Sequence, residues 1–293
     1  MMRILVLGDF HENPSEKLKK KIEKEEFDLV VGVGDYTGIR DWRAFVIKRL
    51  RNSIKGLPGP TLEEFYGKKK AKELLRKDEN VAKNVLIYLN SISKKKKGIF
   101  IFGNADDDWY SYPFGDFLKA KKSRRRFVSG LSNLKEITYG KTRLDGMDFI
   151  GFGGYMDVDA YFERKEFESD DENYVARVER RKKSRLKLLS LVNGIGKKRI
   201  FVFHYPPKGV FDIIKDRKSN PMNGKSAGIG FFREAILKFK PSLVFCGHMH
   251  EYQGFRKIGR SIVINPGEAG KGKYALVEVD EVSGKVGNIK FVK

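Results

Sequence analysis

Seven side chains that can bind metal ions form the chemical centre of this sequence. They include every histidine of the chain and are Asp9, His11, Asp35, Asn104, His204, His248 and His250. Imidazole and carboxylate ligands suit Mn, Fe, Co, Ni and Zn. Two such ions about 3.5–4 Å apart can activate water and hold a phosphoryl group, and the two oxygens of Asp35 are suited to bridge them. The sequence therefore predicts two divalent metal ions, with Mn favoured.

The seven residues follow five short apolar runs. The runs with their polar ends read ILVLGDFH, LVVGVGD, IFIFGNAD, IFVFHY and LVFCGHMH. They predict buried strands at 3–7, 28–33, 99–103, 199–203 and 243–246, with a helix at 15–26 between the first two. Ligands bind beyond the carboxyl ends of the strands of such α/β sheets. We therefore expect the seven side chains to meet at one edge, with glycines before several of them permitting sharp turns.

The remaining segments predict helices and strands around this sheet. Residues 41–97 depart from the strand pattern and predict a helical, cap-like insertion at the active-site edge, with a long helix over 62–93. Residues 171–192 and 230–240 also predict helices. Short strands are expected at 134–139 and 147–152 and antiparallel strands at 261–293, within a single domain spanning 1–293.

The motif order resembles that of the calcineurin-like metallophosphoesterases. The matching elements are D-x-H, GD, GN, H and GHxH, followed by NPG at 265–267, and HYPPKG resembles the small archaeal and bacterial branch. The resemblance implies an α/β fold, a four-layer α-β-β-α sandwich of two mixed sheets. It assigns Asp9, His11, Asp35 and His250 to one metal ion. It assigns Asp35, Asn104, His204 and His248 to the other.

One position departs from the family pattern. Ala105 stands where the family often has a histidine that protonates the leaving oxygen, although Asp106 keeps the acidic position after it. General acid help contributes about 10²–10⁴-fold in rate, so its loss favours phosphodiesters over monoesters. An Ala105→His change is expected to raise monoester activity if Asp106 can orient the new ring.

The predicted function is a dinuclear metal-dependent phosphoesterase that prefers phosphodiesters. A hydroxide bridging the two metals would attack phosphorus in line. The resemblance makes Asp35, Asn104 and His204 the catalytic candidates, and Asp106 and Lys208, which follows HYPP, are candidates for substrate contact. Nucleotides are included among the expected substrates.

Composition sets the cellular and partner expectations. The chain has 60 Lys and Arg against 38 Asp and Glu, a net charge of +22, and a single glutamine, which is typical of a thermophile. One cysteine, Cys246, and an apolar start that runs directly into the first motif favour a cytoplasmic protein without a signal peptide. No apolar run is long enough to cross a membrane.

The basic residues leave two alternatives open. Basic runs at 94–97, 119–126 and 177–187 fit either a solvated surface or a nucleic-acid interface. A nuclease acting on DNA or RNA is one alternative function. A non-catalytic RNA-binding protein of the same fold is the other.

Overall fold

Two mixed β-sheets packed face to face form the centre of the fold. The computed structural model describes residues 1–55, 57, 59–106, 129–162 and 172–293. The strands of the described residues, numbered along the chain, are β1 (Met2–Leu7), β2 (Leu29–Gly32), β3 (Lys97–Phe100), β4 (Lys135–Glu136), β5 (Gly140–Leu144), β6 (Met147–Phe152), β7 (Arg199–Phe203), β8 (Leu243–Phe245), β9 (Gly254–Ile258), β10 (Ser261–Asn265), β11 (Tyr274–Val279) and β12 (Val286–Val292).

Each sheet combines a block of parallel strands with antiparallel pairing at one or both borders. The first sheet has the order β12-β11-β1-β2-β3-β4, in which β1 to β4 are parallel and β11 is antiparallel to both neighbours. The second has the order β5-β6-β7-β8-β10-β9, with β6, β7, β8 and β10 parallel and both edge strands antiparallel. Because the parallel strands point the same way, their carboxyl ends lie at one edge of each sheet.

The continuous apolar runs follow from burial on both faces of the sheets. Along β1, Ile4 and Val6 belong to the core between the two sheets, whereas Leu5 and Leu7 belong to the core on the outer face. Successive side chains of a strand point to opposite faces, so a strand covered on both sides needs apolar residues at every position.

Helices cover the two outer faces of the sandwich. In the described part of the chain they are α1 (Glu16–Ile22), α2 (Arg43–Ile54), α3 (Leu62–Tyr66), α4 (Lys68–Ile92), α5 (Glu172–Val192) and α6 (Gly230–Phe239). Leu18 of α1 and Leu86 of α4 pack into the core outside the first sheet, and Leu188 of α5 and Phe232 of α6 into the core outside the second. The predicted four-layer α-β-β-α sandwich of two mixed sheets is confirmed.

The segment 41–97 has two structural roles. Its longest helix, α4, packs on the first sheet in the connection between the parallel strands β2 and β3. Its first part, α2, lies at the edge where the strands end and lines a cavity there. The long helix expected over 62–93 is interrupted at Gly67, whose φ of 78° ends α3, because such a φ cannot continue a right-handed helix.

The strand expected at 134–139 is divided in the structure. Only Lys135–Glu136 pairs, at the edge of the first sheet, and the chain then crosses to the second sheet as β5. The turn from β5 to β6 uses positive φ values at Asp145 and Gly146, which suit a two-residue hairpin. The antiparallel pairing of β11 with β12 agrees with the expectation for the last segment.

The helices of the described residues are too short or too polar to cross a lipid bilayer.

Candidate metal centre

The sandwich brings all seven predicted ligands to one place. The ends of β1, β2 and β3 carry Asp9, His11, Asp35 and Asn104, and the ends of β7 and β8 carry His204, His248 and His250. The first three strands belong to one sheet and the last two to the other. The centre therefore depends on the packing of the two sheets as well as on the order of strands within each.

The first group of ligands comprises Asp9, His11, Asp35 and His250, which each place one ligand atom within 4.8 Å of the others. The Nε2 atoms of His11 and His250 are 2.8 Å apart. Nε2 of His250 lies 3.6 Å from Oδ1 of Asp9, and Nε2 of His11 lies 3.8 Å from Oδ2 of Asp35. Two donors held about 2.1 Å from one tetrahedral ion are about 3.4 Å apart, so the two imidazole–carboxylate spacings suit a shared ion, whereas the two Nε2 atoms lie closer together than that.

The second group comprises Asp35, His204 and His248, again within 4.8 Å of one another. The amide oxygen of Asn104 joins them, 2.8 Å from Nε2 of His204 and 2.7 Å from Nδ1 of His248. Nε2 of His204 is 3.4 Å from Oδ1 of Asp35. Asp35 thus directs Oδ2 toward the first group and Oδ1 toward the second, which is the arrangement a bridging carboxylate needs.

Backbone carbonyls fix the orientation of two of the imidazole rings. Nδ1 of His11 lies 2.8 Å from the carbonyl oxygen of Thr37, and Nδ1 of His204 lies 2.9 Å from that of Val33. A carbonyl only accepts hydrogen bonds, so Nδ1 carries a proton in each ring, and the Nε2 atom that faces the ligand group has a lone pair for a metal ion when the ring is neutral. Such partners orient histidine ligands at metal sites.

A buried carboxylate oxygen provides a test of whether the site suits a cation. Asp9 is fully buried, and its Oδ1 accepts the backbone N–H of His248 at 2.9 Å. Its Oδ2 is buried and has no hydrogen-bond partner among the described residues. Burying a carboxylate oxygen without a partner is unfavourable, and a divalent ion bound to the Asp9 carboxylate would offset part of that penalty.

Residues 69–289 of the chain match the model of a protein family that is described as metallophosphoesterase, calcineurin superfamily. The chain belongs to this family. The match includes Asn104, His204, His248 and His250, whereas Asp9, His11 and Asp35 precede it in the chain.

Solved structures share the fold at low sequence identity. One crystal structure aligns with 100% of this chain and 98% of its own chain, at 19% identity and a TM-score of 0.58. The phosphopantetheinyl hydrolase PptH from Mycobacterium tuberculosis aligns over 92% of this chain and 90% of its own, at 10% identity and a TM-score of 0.51. These identities show similarity of fold alone. The search of curated proteins gave no match.

The ligand loops of this metallophosphoesterase hold strained backbone at the ligands themselves. Asp9, His11, Asp35 and His248 have φ values of 54°, 53°, 55° and 67°. Residues with a Cβ atom rarely adopt this left-handed region, and such conformations concentrate at functional sites. Asp9 and His11 both lie beyond the end of β1, so this left-handed backbone, rather than strand geometry, sets the directions of their side chains.

The glycines before the ligands serve close packing more than turning. Of these, only Gly34 has a positive φ, of 104°. A Cβ atom on Gly8 would lie 2.2 Å from Val33, and one on Gly103 would lie 2.2 Å from Oδ1 of Asp35. These glycines allow neighbouring strand ends to approach closely enough for the ligands to meet.

Asp106 holds the loop that carries Asp35. Its buried carboxylate accepts the backbone N–H groups of Gly103, Asp35, Tyr36 and Thr37 at 2.7–3.0 Å, and the Thr37 hydroxyl at 3.1 Å. All of these contacts are internal to the protein, so the structure places Asp106 as a positioning residue. The substrate contact predicted for Asp106 stays a prediction.

This arrangement changes the expectation for Ala105. The oxygens of Asp106 are occupied by the loop at 35–37 and by Gly103. Ala105→His is expected to raise monoester activity only if Asp106 can orient the new ring. Because the oxygens of Asp106 are already occupied, that condition is not met. The side chain of Ala105 lies against Gly38, and its N–H donates to Oδ1 of Asp35 at 2.8 Å.

Asp78 is a second acidic residue that supports the same loop, and sequence reasoning missed it. It lies on α4, is 3% exposed, and its Oδ1 accepts the N–H groups of Gly38 and Ile39 at 2.8 and 3.1 Å. Burial raises the pKa of Asp78 to about 6. An acidic residue within a polar helix sequence carries no local signal for this contact, which joins positions about forty residues apart.

The charges of the candidate ligands shift one another's pKa values. Burial by itself would raise the pKa of Asp35, but His204, His11 and His248 lower it well below its usual range. Burial by itself would lower the pKa of His204, but the Asp35 carboxylate raises it to about 9. Burial and the nearby His204 lower the pKa of His248 to about 3. A carboxylate and a neutral imidazole are the forms that bind metal ions.

A cavity of about 550 Å³ opens beside the metal centre. Asn104, His248 and His250 form one end of its lining. The other predicted substrate contact, Lys208, is not among the described residues that line it. The Nζ atom of Lys208 lies 3.6 Å from Oδ2 of Asp159 instead, and its predicted phosphate contact stays a prediction.

The first basic run, 94–97, lies away from the metal centre. Lys97 begins β3, whose opposite end leads to Asn104, so the run is at the far edge of the sheet. Lys96 lies over the ring of Phe27, with Nζ 3.6 Å from the ring centroid, and Lys97 pairs with Asp145.

The basic run 177–187 directs several of its arginines inward from α5. Arg177 and Arg180 donate to the two oxygens of Asp157 at 3.3 and 2.8 Å. Arg181 lies 3.0 Å from Oδ1 of Asp159. These arginines attach α5 to the loop that follows β6. The run 119–126 lies outside the described residues.

Proposed function

We propose that this metallophosphoesterase binds two divalent metal ions and hydrolyses phosphodiesters in preference to phosphomonoesters. The observation that carries the proposal is the position of Asp35, which belongs to both ligand groups and directs one oxygen to each. Residues with nitrogen and oxygen donors surround both positions, and Mn²⁺ is the ion we expect to support activity best. When bound, such ions activate water and neutralise the charge of the phosphoryl group.

The protein's own residues define the rest of the chemistry. Thr37 and Val33 keep the Nε2 atoms of His11 and His204 directed into the centre. Asn104 supplies a neutral oxygen between His204 and His248, so it adds a ligand without adding negative charge that would repel a phosphate. The centre is mostly buried, which strengthens every charge interaction within it.

The preference for diesters rests on position 105. Ala105 cannot donate a proton to a leaving oxygen, and general acid help contributes about 10²–10⁴-fold in rate. An aryl leaving group departs without such help, whereas an alkoxide leaving group needs it. A diester also carries one negative charge less than a monoester dianion, which favours it beside Asp9 and Asp35.

A screen of metals against substrates tests this function. The protein is freshly loaded with Mn²⁺, Fe²⁺, Co²⁺, Ni²⁺ or Zn²⁺ and assayed with bis(p-nitrophenyl) phosphate and with alkyl monoesters. We expect Mn²⁺ to support activity and the aryl diester to be cleaved faster. Asp35→Asn should remove most of the activity, because one bridging charge between two cations is lost. A clear preference for alkyl monoesters would contradict the proposal.

The nucleic-acid alternatives depend on the basic runs. We propose that neither 94–97 nor 177–187 forms an extended nucleic-acid surface at the metal centre. The first run lies at the far edge of the sheet. In the second run, Arg177, Arg180 and Arg181 are largely buried and pair with Asp157 and Asp159, so they do not form an exposed basic face. Arg177 and Arg180 line the cavity instead. The run 119–126 remains a candidate from sequence. Nucleic-acid binding that falls steeply with salt, and that Arg124→Gln with Arg125→Gln and Arg126→Gln weakens, would favour a nuclease. A metal-loaded protein without any hydrolytic activity would favour the RNA-binding alternative.

A further inference from the structure

The cavity beside the metal centre is larger than the scissile phosphate requires. Its volume of about 550 Å³ lies within the range of about 300–1,000 Å³ that is usual for sites that bind small organic molecules. It starts at His248 and His250 and extends between α2, α5 and the loops that follow β6 and β7. A phosphoester bound at the metal centre would therefore place its organic substituent in this space.

Ion pairs between separate elements fix the walls of the cavity. Nη2 of Arg43 on α2 donates to both oxygens of Asp216 at 2.6 and 2.8 Å, which joins α2 to the loop after β7. Arg180 on α5 donates through Nε to Asp157 at 2.8 Å, which joins α5 to the loop after β6. A cavity with walls connected in this way is formed before a ligand arrives, so binding does not require the elements to be ordered first.

Part of the lining is apolar and aromatic. Tyr205 packs on His248, with ring centroids 4.1 Å apart. The same wall continues through Met156, Met222 and Leu50, of which the two methionines are almost completely buried. Methionine and aromatic side chains make favourable contacts with flat ring systems. This wall suits a planar, largely apolar group such as a nucleobase or another aromatic ring.

The lining also carries an excess of positive charge. Its described residues include six Lys or Arg and three Asp or Glu, a formal excess of three positive charges: Arg43, Arg49, Arg177, Arg180, Lys215 and Lys271 against Asp157, Asp216 and Glu251. A guanidinium has five N–H donors, so an arginine that already binds a carboxylate can also bind a phosphate oxygen. Arg43 on α2 and Arg180 on α5 both line the cavity, so an anionic group bound between these helices has two guanidinium groups available to it.

We infer that the cavity binds the organic part of the substrate, and that the substrate class is a small phosphodiester with a planar ring substituent that carries a second anionic group, as in a nucleoside 5′-phosphodiester with a 3′-phosphate. This inference rests on the proposed function for its scissile phosphate. It excludes both a simple alkyl diester and a long nucleic acid as the best substrate.

Three diesters with one leaving group test the substrate class. They are methyl p-nitrophenyl phosphate, thymidine 5′-(p-nitrophenyl phosphate) and the same nucleoside ester with an added 3′-phosphate. In each reaction water oxygen becomes bonded to phosphorus, the phosphorus–oxygen bond to the nitrophenyl group breaks with its electron pair leaving on p-nitrophenolate, and the protons of water pass to the product phosphate and to solvent. Because the leaving group is constant, differences in kcat/KM report on the other substituent.

We expect kcat/KM to increase at least tenfold on adding the nucleoside and again on adding the 3′-phosphate. Leu50→Trp, which fills the apolar part of the cavity, should remove the first increase, whereas Leu186→Trp on the exposed face of α5 should keep it. Arg180→Gln should remove the second increase, mainly through KM, whereas Arg185→Gln on the same helix should keep both. A flat series of kcat/KM values in the active protein would overturn the inference.

A binding measurement separates this inference from the proposed function. Thymidine 3′,5′-bisphosphate lacks a p-nitrophenyl leaving group, and its binding is measured by calorimetry in the unmodified protein, Arg180→Gln and Arg185→Gln. We expect Arg180→Gln to bind the bisphosphate at least tenfold more weakly than the unmodified protein, and Arg185→Gln to bind it as the unmodified protein does. Binding without hydrolysis of any diester would retain the cavity and refute the proposed function. Absence of binding, or equal binding in all three proteins, would refute the cavity as the substrate site.

Discussion

Asp78 offers a direct measure of what a single buried charge contributes to this fold. Both backbone N–H groups that it accepts, from Gly38 and Ile39, reach the same oxygen, Oδ1. An Asp78→Asn change keeps that oxygen as the amide carbonyl, so both hydrogen bonds are retained. It removes only the negative charge. The substitution therefore isolates the electrostatic contribution of a residue that is 3% exposed.

The magnitude follows from the pKa of Asp78. Burial raises the pKa from 3.8 to about 6 in the folded protein. The folded state then binds the proton more tightly than the unfolded state, so this group's contribution to stability is highest at low pH. That contribution falls as pH rises from about 4 through 6. With 1.36 kcal/mol for each pKa unit, the total effect is about 3 kcal/mol, of which about 2 kcal/mol lies between pH 4.5 and 7.5.

Urea unfolding of the unmodified protein and Asp78→Asn at pH 4.5, 6 and 7.5 measures this effect. The variant should be more stable than the unmodified protein at pH 7.5, and its advantage should shrink by about 2 kcal/mol at pH 4.5. Other acidic residues titrate in both proteins and cancel in the difference. Asp78→Leu is the control for the hydrogen bonds and should be destabilised at every pH. A stability difference between Asp78→Asn and the unmodified protein that does not change with pH would refute the reasoning.

Asp106, His204 and Cys246 each have a role that a single measurement can check. Asp106→Ala leaves four buried N–H groups without their acceptor, so it should lower the free energy of unfolding by at least about 2 kcal/mol and weaken metal binding. The control Thr37→Val loses one hydroxyl contact and should lower the free energy of unfolding by about 1 kcal/mol. Equal stability of the two variants in urea would contradict this prediction. Asp35 raises the pKa of His204 to about 9, so metal binding at pH 7.5 should release about one proton from this ring. The enthalpy of metal binding measured by calorimetry should therefore differ between buffers of different ionisation enthalpy, and identical enthalpies would argue against this prediction. Burial strongly raises the pKa of the Cys246 thiol, so a thiol reagent should label it only as fast as the protein unfolds, and rapid labelling in native buffer would disprove this.

The meeting of the candidate metal ligands could be predicted from sequence because each of them follows a locally encoded strand. Asp9, Asp35 and His204 each follow an apolar run of strand length, and a polar side chain at such a position must leave the core at the end of the strand. The parallel pairing of β1, β2 and β3 then places these ends at one edge. The division into two ligand groups came from the resemblance to a family, since spacing alone does not show that His250 lies beside His11 and His248 beside Asn104.

The residues that support the centre depended on tertiary contacts. Asp106 reaches Thr37 across 69 positions and Asp78 reaches Gly38 across 40, and neither contact leaves a pattern in the neighbouring sequence. The arginines of α5 have the composition of a solvated surface, yet Arg177 and Arg180 are drawn inward by Asp157. The sequence by itself determined the strands and the chemistry at their ends, because hydrophobic periodicity and residue type act locally. Only the packing of the two sheets and their helices decided which charges are buried together, because the energy of a buried charge depends on partners that are distant in the chain.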